Sequence, residues 1–400
     1  MPCSIALTDR EVQSLRDKTQ PKAMIYDPKH GLAGFDGLTL QTQQVQSFQN
    51  LPPARPILGD PNRPGYIIFT SGTSGQPRAV LHAHRAVWAR RMMWARWYDL
   101  RPQDVMMHAG ALNWTYTLGT GLMDPWAIGA SAVIPNTQEP AELWRIMRAE
   151  QASIFAAAPG IYRRLLQQPF TGTPALRHGL SAGDVLPQSV RDSWQERTQT
   201  PICEAFGMTE CSTFLCATPS APEQLAVQPG RKIAIFDGED LAEVGQIGTI
   251  AVDGGDPGLM LGYLEDETIL LPLKNGWYHT SDQGQIYADG RIDFAGRSGD
   301  MLNAGGYRVA PREIEHVLEA CSGVQEVGVT EVEVRPDVFV IAAFVVVEDP
   351  CDLAQLDALA ARDLARYKQP RIVQKVPALP RNANGKLIRA ALPQLWNSAL

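Results

Sequence analysis

A chain of 400 residues, 44% apolar and 20% charged, is ordinary globular composition with room for two or more domains. Its 43 acidic and 36 basic residues leave a net charge of −7, so nothing global draws it to nucleic acid or to an anionic membrane. The six cysteines lack zinc-type spacing and read as unpaired thiols of a reducing compartment. Asp9 and Glu11 stand where a signal peptide would be apolar, and the longest apolar run, Val338–Val347, is too short to span a bilayer, so a cytoplasmic location is expected.

Prolines at 52, 53, 56, 61 and 64 predict an extended linker over residues 52–64. Residues 66–69 form a short buried-strand pattern that runs into a Gly/Ser/Thr-rich loop. A helical pattern covers residues 84–98. Helical patterns at 140–150 and 160–168 then alternate with strand-like runs at 130–134 and 153–157, which is the texture of an α/β fold. Beyond about residue 230, short glycine-rich strands run to residue 299. A helix at 311–320, strands at 324–334 and Val338–Val347, and a helix near 352–366 could close a small α+β domain. The predicted boundary is the turn at 297–300. It gives a large α/β domain over 1–299 and a small, mobile α+β domain over 300–400.

The loop Thr70-Ser71-Gly72-Thr73-Ser74-Gly75-Gln76-Pro77-Arg78 carries the first chemical signal. Its glycines let backbone N–H groups approach a phosphate, its hydroxyls add donors, and Arg78 can neutralise charge. No Gly-Lys-Ser/Thr follows, so it is not a Walker loop, and taken alone it reads more often as a flexible connection. The strand followed by Thr-Ser-Gly-Thr-Ser-Gly-x-Pro-Arg resembles the phosphate loop of the adenylate-forming (ANL) superfamily. That group includes acyl-CoA synthetases, nonribosomal peptide adenylation domains and luciferases. The resemblance implies that Thr70, Ser71, Gly72, Thr73, Ser74, Gly75 and Arg78 hold the ATP phosphates. The family usually ends this motif with lysine, and Arg78 keeps the charge with a different geometry.

Further blocks follow in the family's order. Ser181-Ala182-Gly183-Asp184 resembles the turn beside the adenine, with Asp184 as a departure. Glu204-Ala205-Phe206-Gly207-Met208-Thr209-Glu210 is similar to the aromatic-Gly-x-Thr-Glu motif. By that likeness Phe206 and Gly207 line the nucleotide, Thr209 bonds the α-phosphate and Glu210 binds Mg²⁺, a hard cation that wants oxygen ligands. Without the other blocks the same residues would read as a helix start capped by threonine. Tyr278-His279-Thr280-Ser281-Asp282 resembles the block whose aspartate accepts the ribose hydroxyls, and Ser281 replaces a common glycine.

Phe294-Ala295-Gly296-Arg297-Ser298-Gly299-Asp300 looks like the family's hinge, which implies a ribose contact for Arg297 and a pivot at Asp300. Gly305, Gly306 and Tyr307 match the loop that lines the pantetheine tunnel in acyl-CoA synthetases. Lys386, in Gly385-Lys386-Leu387-Ile388-Arg389, matches the lysine that bridges the substrate carboxylate and the α-phosphate. The resemblance covers about residue 65 to the C-terminus. It implies ATP-dependent activation of a carboxylic acid to an acyl-adenylate, then thioester formation with coenzyme A. Thr209, Glu210 and Lys386 would be catalytic, and ATP, Mg²⁺ and coenzyme A are the expected small molecules.

The segment from 108 to 130 is expected to form one wall of an acyl pocket, with Asn113, Trp114, Tyr116 and Ala205 as candidate lining. A tryptophan there would either fill the pocket against all but a small acid or stack on an aryl ring. The phosphate loop starts earlier than is usual in the family, so a shortened large domain is expected. A second copy of the chain is one way to bury the surface left bare. Arg85, Arg90, Arg91 and Arg96, interleaved with Trp88, Trp94 and Trp97, mark a candidate contact helix, and an ordinary amphipathic helix is the alternative. Two other functions fit parts of the pattern: loading an acyl group onto a carrier-protein phosphopantetheine, or a degenerate nucleotide-binding paralogue. Retention of Glu210, Asp282, Arg297 and Lys386 speaks against the latter.

Overall fold

The computed structural model describes residues 1–3, 7, 9–30, 35–71, 77–170, 172–265, 268–304, 307–335, 338–348, 352–382 and 385–397. At its centre is a seven-stranded sheet. Its order is Ala221–Val227, Ser212–Thr218, Ile202–Met208, His178–Ser181, Ile154–Ala157, Val105–His108 and Ser131–Val133. The last five strands run parallel, and the first two join them antiparallel.

Parallel strands are normally covered on both faces, and side-chain alternation produces that here. Met107, Phe155, Ala157 and Ile202 face one way, against Leu143, Trp144 and Met147 of helix Pro140–Ala149, Tyr162 and Leu165 of Pro159–Leu166, and Val190 and Trp194 of Gln188–Thr198. Met106, Ile154, Ala156, Leu180 and Ala205 face the other, against Met93, Trp97 and Tyr98. Pro140 and Pro159 open their helices, where a missing N–H costs nothing.

Apart from a two-stranded parallel ribbon of Ala23–Tyr26 with Leu38–Gln41, the remaining sheets of the large body are antiparallel. Strands Pro64–Ser71 and Pro77–Ala83 form a hairpin within a four-stranded sheet, continued by Gly262–Glu265 and Thr268–Leu270. A five-stranded sheet contains Ile233–Asp237, Gly248–Asp253, Trp277–Ile286 and Ile292–Arg297. Toward the C-terminus, Val324–Arg335, Val338–Val347 and Ile372–Lys375 form a three-stranded sheet. Its own apolar core includes Ile314 and Leu318 of helix Pro311–Glu319 and Leu356 and Ala360 of Leu353–Asp363.

The predicted α/β texture, the glycine-rich strands beyond residue 230 and the C-terminal α+β segment are all present. The predicted helix at 84–98 differs in pitch. It is α-helical over His84–Ala89, 3-10 over Arg90–Met93 and a π-turn over Trp94–Tyr98. The change falls at Arg90, the buried charged side chain of the segment, whose guanidinium is drawn to Asp124 at 2.7 Å and also reaches Tyr98, Thr120 and Ser212. Arg90 and Trp97 are therefore core residues, which removes them from the candidate contact helix, while Trp88 is half exposed with Arg91 over its ring. Cys203, Cys211 and Cys216 are buried free thiols. Among the described residues no helix is long and apolar enough to cross a membrane.

Burial holds three histidines neutral. It pulls the pKa of His82 to about 4, of His108 to about 3 and of His178 to about 4. In the unfolded chain each takes a proton near pH ~6.5. Their contribution to stability is thus complete above that pH and is lost as pH falls toward about 4, by roughly 1.4 kcal/mol per pH unit for each histidine. Glu204, Glu210 and Asp282, whose carboxyls burial pushes up, work in the opposite sense. The expected result is a urea midpoint that drops steeply as acidity passes about pH 6. A midpoint flat down to about pH 4.5 would contradict the buried neutral imidazoles.

Candidate active site

Residues 209–211 make the turn between strands Ile202–Met208 and Ser212–Thr218, not the start of a helix. The turn lies just past the carboxyl end of a parallel strand. The turn at 182–184 lies past the end of the neighbouring strand, His178–Ser181. Open α/β sheets bind their ligands at this edge.

The first turn is pinned carbonyl by carbonyl. Thr209 O accepts from His82 Nε2 at 2.8 Å, and because a carbonyl only accepts, that nitrogen carries the proton. Glu210 O accepts from the Met260 N–H at 2.7 Å. Cys211 O and Thr213 O accept Arg231 Nη2 and Nη1 at 2.9 and 2.7 Å. Arg231 is itself held by Asp256, with Nε 2.8 Å from both carboxylate oxygens. Ser212 sits at φ 56°, a left-handed conformation unusual for serine, and its hydroxyl accepts from Arg90. Glu210 is thereby presented on a backbone with little freedom to move.

The Glu210 side chain is buried, and its Oε1 accepts from Tyr263 Oη at 2.9 Å. Tyr263 in turn lies 3.0 Å from Tyr278 Oη. Burial raises the Glu210 pKa, while the Tyr263 bond and Arg78 oppose the rise. Arg78 lies flat over the Tyr263 ring, its central carbon 3.2 Å from the ring centroid, and 3.8 Å from Glu265. Thr70 pairs with Arg78 across the hairpin.

Asp282 and Arg297 are direct cross-strand partners, and their side chains approach to 3.4 Å. Asp282 is buried and Arg297 about half exposed. Burial raises the Asp282 carboxyl, and Arg297 and then Lys386 pull it down. Lys386 thus belongs to this cluster although it lies far along the chain. Burial and Arg297 lower its pKa, against Asp184, Asp282 and Asp300. Asp300 begins past a tight turn in which its N–H bonds Arg297 O, and it lies 3.7 Å from Arg389.

Trp114, Tyr116 and Ala205 share one apolar cluster. The Trp114 ring is edge-on to Tyr116 and packs beneath Gly183, where a Cβ would lie 2.5 Å from the indole. Gly183 also has φ 97°, so both space and backbone require glycine. Phe206 packs against Phe214 and Phe294, and Gly207 is paired with Thr213. Asn113 is partly buried one residue before Trp114.

The structure therefore brings Thr209, Glu210, Arg78, Asp282, Arg297, Asp300, Lys386, Gly183 and Asp184 to one side of the molecule. Gly72, Thr73, Ser74, Gly75, Gly305 and Gly306 lie outside the described residues, as do the side chains of Ser71 and Tyr307. His82, Tyr263 and the Arg231–Asp256 pair were not foreseen. Their partners are carbonyls or residues tens of positions away, and no local motif announces such contacts.

A two-domain α/β protein with carboxylates and cations from distant segments gathered at the carboxyl edge of its sheet has the architecture of a nucleotide-dependent activating enzyme. The comparisons agree. Residues 1–264 match the AMP-binding enzyme family and residues 313–386 its C-terminal domain, and the chain belongs to that family. A 3-hydroxybenzoate–CoA/4-hydroxybenzoate–CoA ligase of Thauera aromatica is 29% identical over 96% of this chain and 74% of its own length. A 3-hydroxybenzoate–CoA ligase of Aromatoleum sp. (strain CIB) is 29% identical over 82% of this chain. The chain spans 65% of that second relative. Among solved structures, ATP-bound MatB from Rhodopseudomonas palustris superposes with a TM-score of 0.84 at 24% identity, covering 100% of this chain and 84% of MatB. A benzoate CoA ligase from Burkholderia xenovorans LB400 gives 0.83 at 22% identity, covering 98% of this chain and 83% of the ligase. At these identities the likeness is one of fold.

Proposed function

We propose that the chain is an AMP-forming acid–thiol ligase. The observation that carries this reading is the docking of the C-terminal segment, where the Leu387 N–H meets Asp184 at 3.3 Å and Lys386 comes within electrostatic reach of Asp282, Arg297 and Asp184. In the first half reaction a carboxylate oxygen attacks the ATP α-phosphorus, the bond to the bridging oxygen breaks, and pyrophosphate leaves. Lys386 offsets negative charge at the phosphorus, Thr209 donates to an α-phosphate oxygen, and Asp282 with Arg297 orients the ribose. In the second, a thiol attacks the acyl carbon, AMP leaves, and the thiol proton passes to solvent. The small domain, taken as residues 300–400, turns at Asp300 between the halves and withdraws Lys386. No side-chain nucleophile is required.

Mg²⁺ is bound by oxygen donors, commonly one or two carboxylates together with phosphate oxygens. Glu210 fits: it is a buried carboxylate whose raised pKa a cation would oppose, with one oxygen oriented by Tyr263. When bound, the ion would neutralise phosphate charge. Coenzyme A is the proposed acceptor, with Gly305, Gly306 and Tyr307 beside its pantetheine arm.

The aromatic wall of Trp114 and Tyr116, together with hydroxybenzoate and benzoate ligases among the relatives, supports an aryl acid as substrate. Pyrophosphate release across a panel of aryl, short-chain and medium-chain acids tests this. Release should depend on the acid, be largest with an aryl acid and stop on chelation of the metal. AMP should then appear with coenzyme A rather than with a phosphopantetheinylated carrier protein. Release with no acid in the panel would overturn the reading.

A further inference from the structure

The segment that carries Lys386 is tied to the large α/β body by charges that the reaction as written does not use. Glu326, on strand Val324–Arg335, is nine-tenths buried. Its Oε1 meets Arg163 Nη1 at 2.6 Å and its Oε2 accepts from Arg381 Nη2 at 2.7 Å. Arg163 stands on helix Pro159–Leu166 of the large body. Burial lowers its pKa, and Glu326 is its strongest opposing charge. Arg381 donates to Gly385 O at 2.6 Å, which braces the turn just before the lysine. Across the interface, Asp184 Oδ2 accepts from the Leu387 N–H at 3.3 Å and lies 3.8 Å from Arg381. The other oxygen of Asp184 accepts from its neighbour, the Val185 N–H, at 3.0 Å, which fixes the carboxylate plane. The two backbones also touch: a Cβ on Gly160 would lie 3.6 Å from Gly385 Cα.

We propose that Asp184 and Glu326 are positioning residues for Lys386. Asp184 clamps the amide that follows the lysine, while Glu326 bridges Arg163 to Arg381. Together they fix the tail in the orientation that adenylates. The proposal rests on the acid-activating reading above. It gives Asp184, assigned to the adenine by resemblance, a task that faces the tail instead. Both contacts belong to the docked orientation and break when the small domain turns, so they weigh on the two half reactions unequally. Trp114, beneath Gly183, places the acyl-pocket wall under the same turn as the clamp.

The test is charge reversal. A desolvated ion pair that loses one partner is strongly destabilised, because the other charge stays buried and unpaired. Arg163→Glu and Glu326→Arg should each slow acid-dependent pyrophosphate release at least about tenfold, while thioester formation from supplied acyl-adenylate stays within about twofold. Combining the two reversals should restore release in part, because the 163–326 pair re-forms with exchanged charges while Arg381 still loses its carboxylate partner. Asp184→Ala should slow acid-dependent pyrophosphate release as the single reversals do.

Docking is also read without activity. Ser189 Oγ donates to Gln325 O at 3.3 Å, so cysteines introduced at both positions should oxidise to a crosslink in the docked state. Crosslink yield should fall in each single reversal and recover in part in the double, with Tm recorded to confirm folding. A yield that ignores both reversals overturns the clamp, as does equal slowing of both half reactions. Charge-dependent crosslinking in a protein that releases no pyrophosphate would sustain the clamp and remove the assigned reaction alone.

Discussion

Replacing Lys386 with alanine is expected to slow acyl-adenylate formation by on the order of 10²–10³, the usual cost of removing one preorganised charge from a transition state. The side chain is partly buried within electrostatic reach of Arg297, Asp184, Asp282 and Asp300, so water screens its charge less than on an open surface. Thioester formation from supplied acyl-adenylate should be almost unchanged if the small domain turns between the half reactions as proposed and withdraws the lysine. Separate assays of pyrophosphate release and of thioester yield check this. Equal loss in both would mean that one arrangement of the domains serves both steps.

The second large effect is on stability. Arg231 and Asp256 are almost fully buried, 2% and 0% exposed, and bonded through both carboxylate oxygens. Arg231→Met leaves that carboxylate unpaired and strips the donors from Cys211 O and Thr213 O. Breaking a buried pair from one side costs about 3–5 kcal/mol, a large share of a total stability of roughly 5–15 kcal/mol. Urea unfolding should show that loss. Combining Arg231→Met with Asp256→Leu should recover much of it, since paired removal of buried charges is often close to neutral. If Glu210 holds Mg²⁺ as proposed, both variants should need more Mg²⁺ for half-maximal pyrophosphate release, because Cys211 O and Thr213 O still lack their donors in the double variant. An unchanged midpoint in the single variant would show that the pair carries little.

Much of this was legible from the chain. The alternation of apolar runs at 130–134 and 153–157 with helical patterns announced the α/β architecture, because both patterns follow from burial against a shared core. The strands Val324–Arg335 and Val338–Val347 emerged almost to the residue, the first as valines interleaved with polar residues and the second as a long apolar run. Glu210, Asp282, Arg297 and Lys386 were singled out because each sits in a compact motif. What holds them in place was not visible. His82 reaches Thr209 across 127 positions, and Arg231 grips a turn that precedes it by about twenty. Such contacts depend on which strands become neighbours, and sheet order is set by tertiary packing rather than by local pattern. The pitch change at Arg90 was hidden for the same reason. Its cause, Asp124, lies 34 residues further on.

The central claim is that the gathered residues direct a carboxylate onto the α-phosphorus of ATP. Heavy-oxygen label in the carboxylate of the best substrate, followed by mass spectrometry of the nucleotide product, tests it most directly. The account predicts one labelled oxygen in AMP, carried over when the acyl–phosphate bond formed there is cut on the acyl side. Unlabelled AMP, or ADP with label in inorganic phosphate, would contradict it.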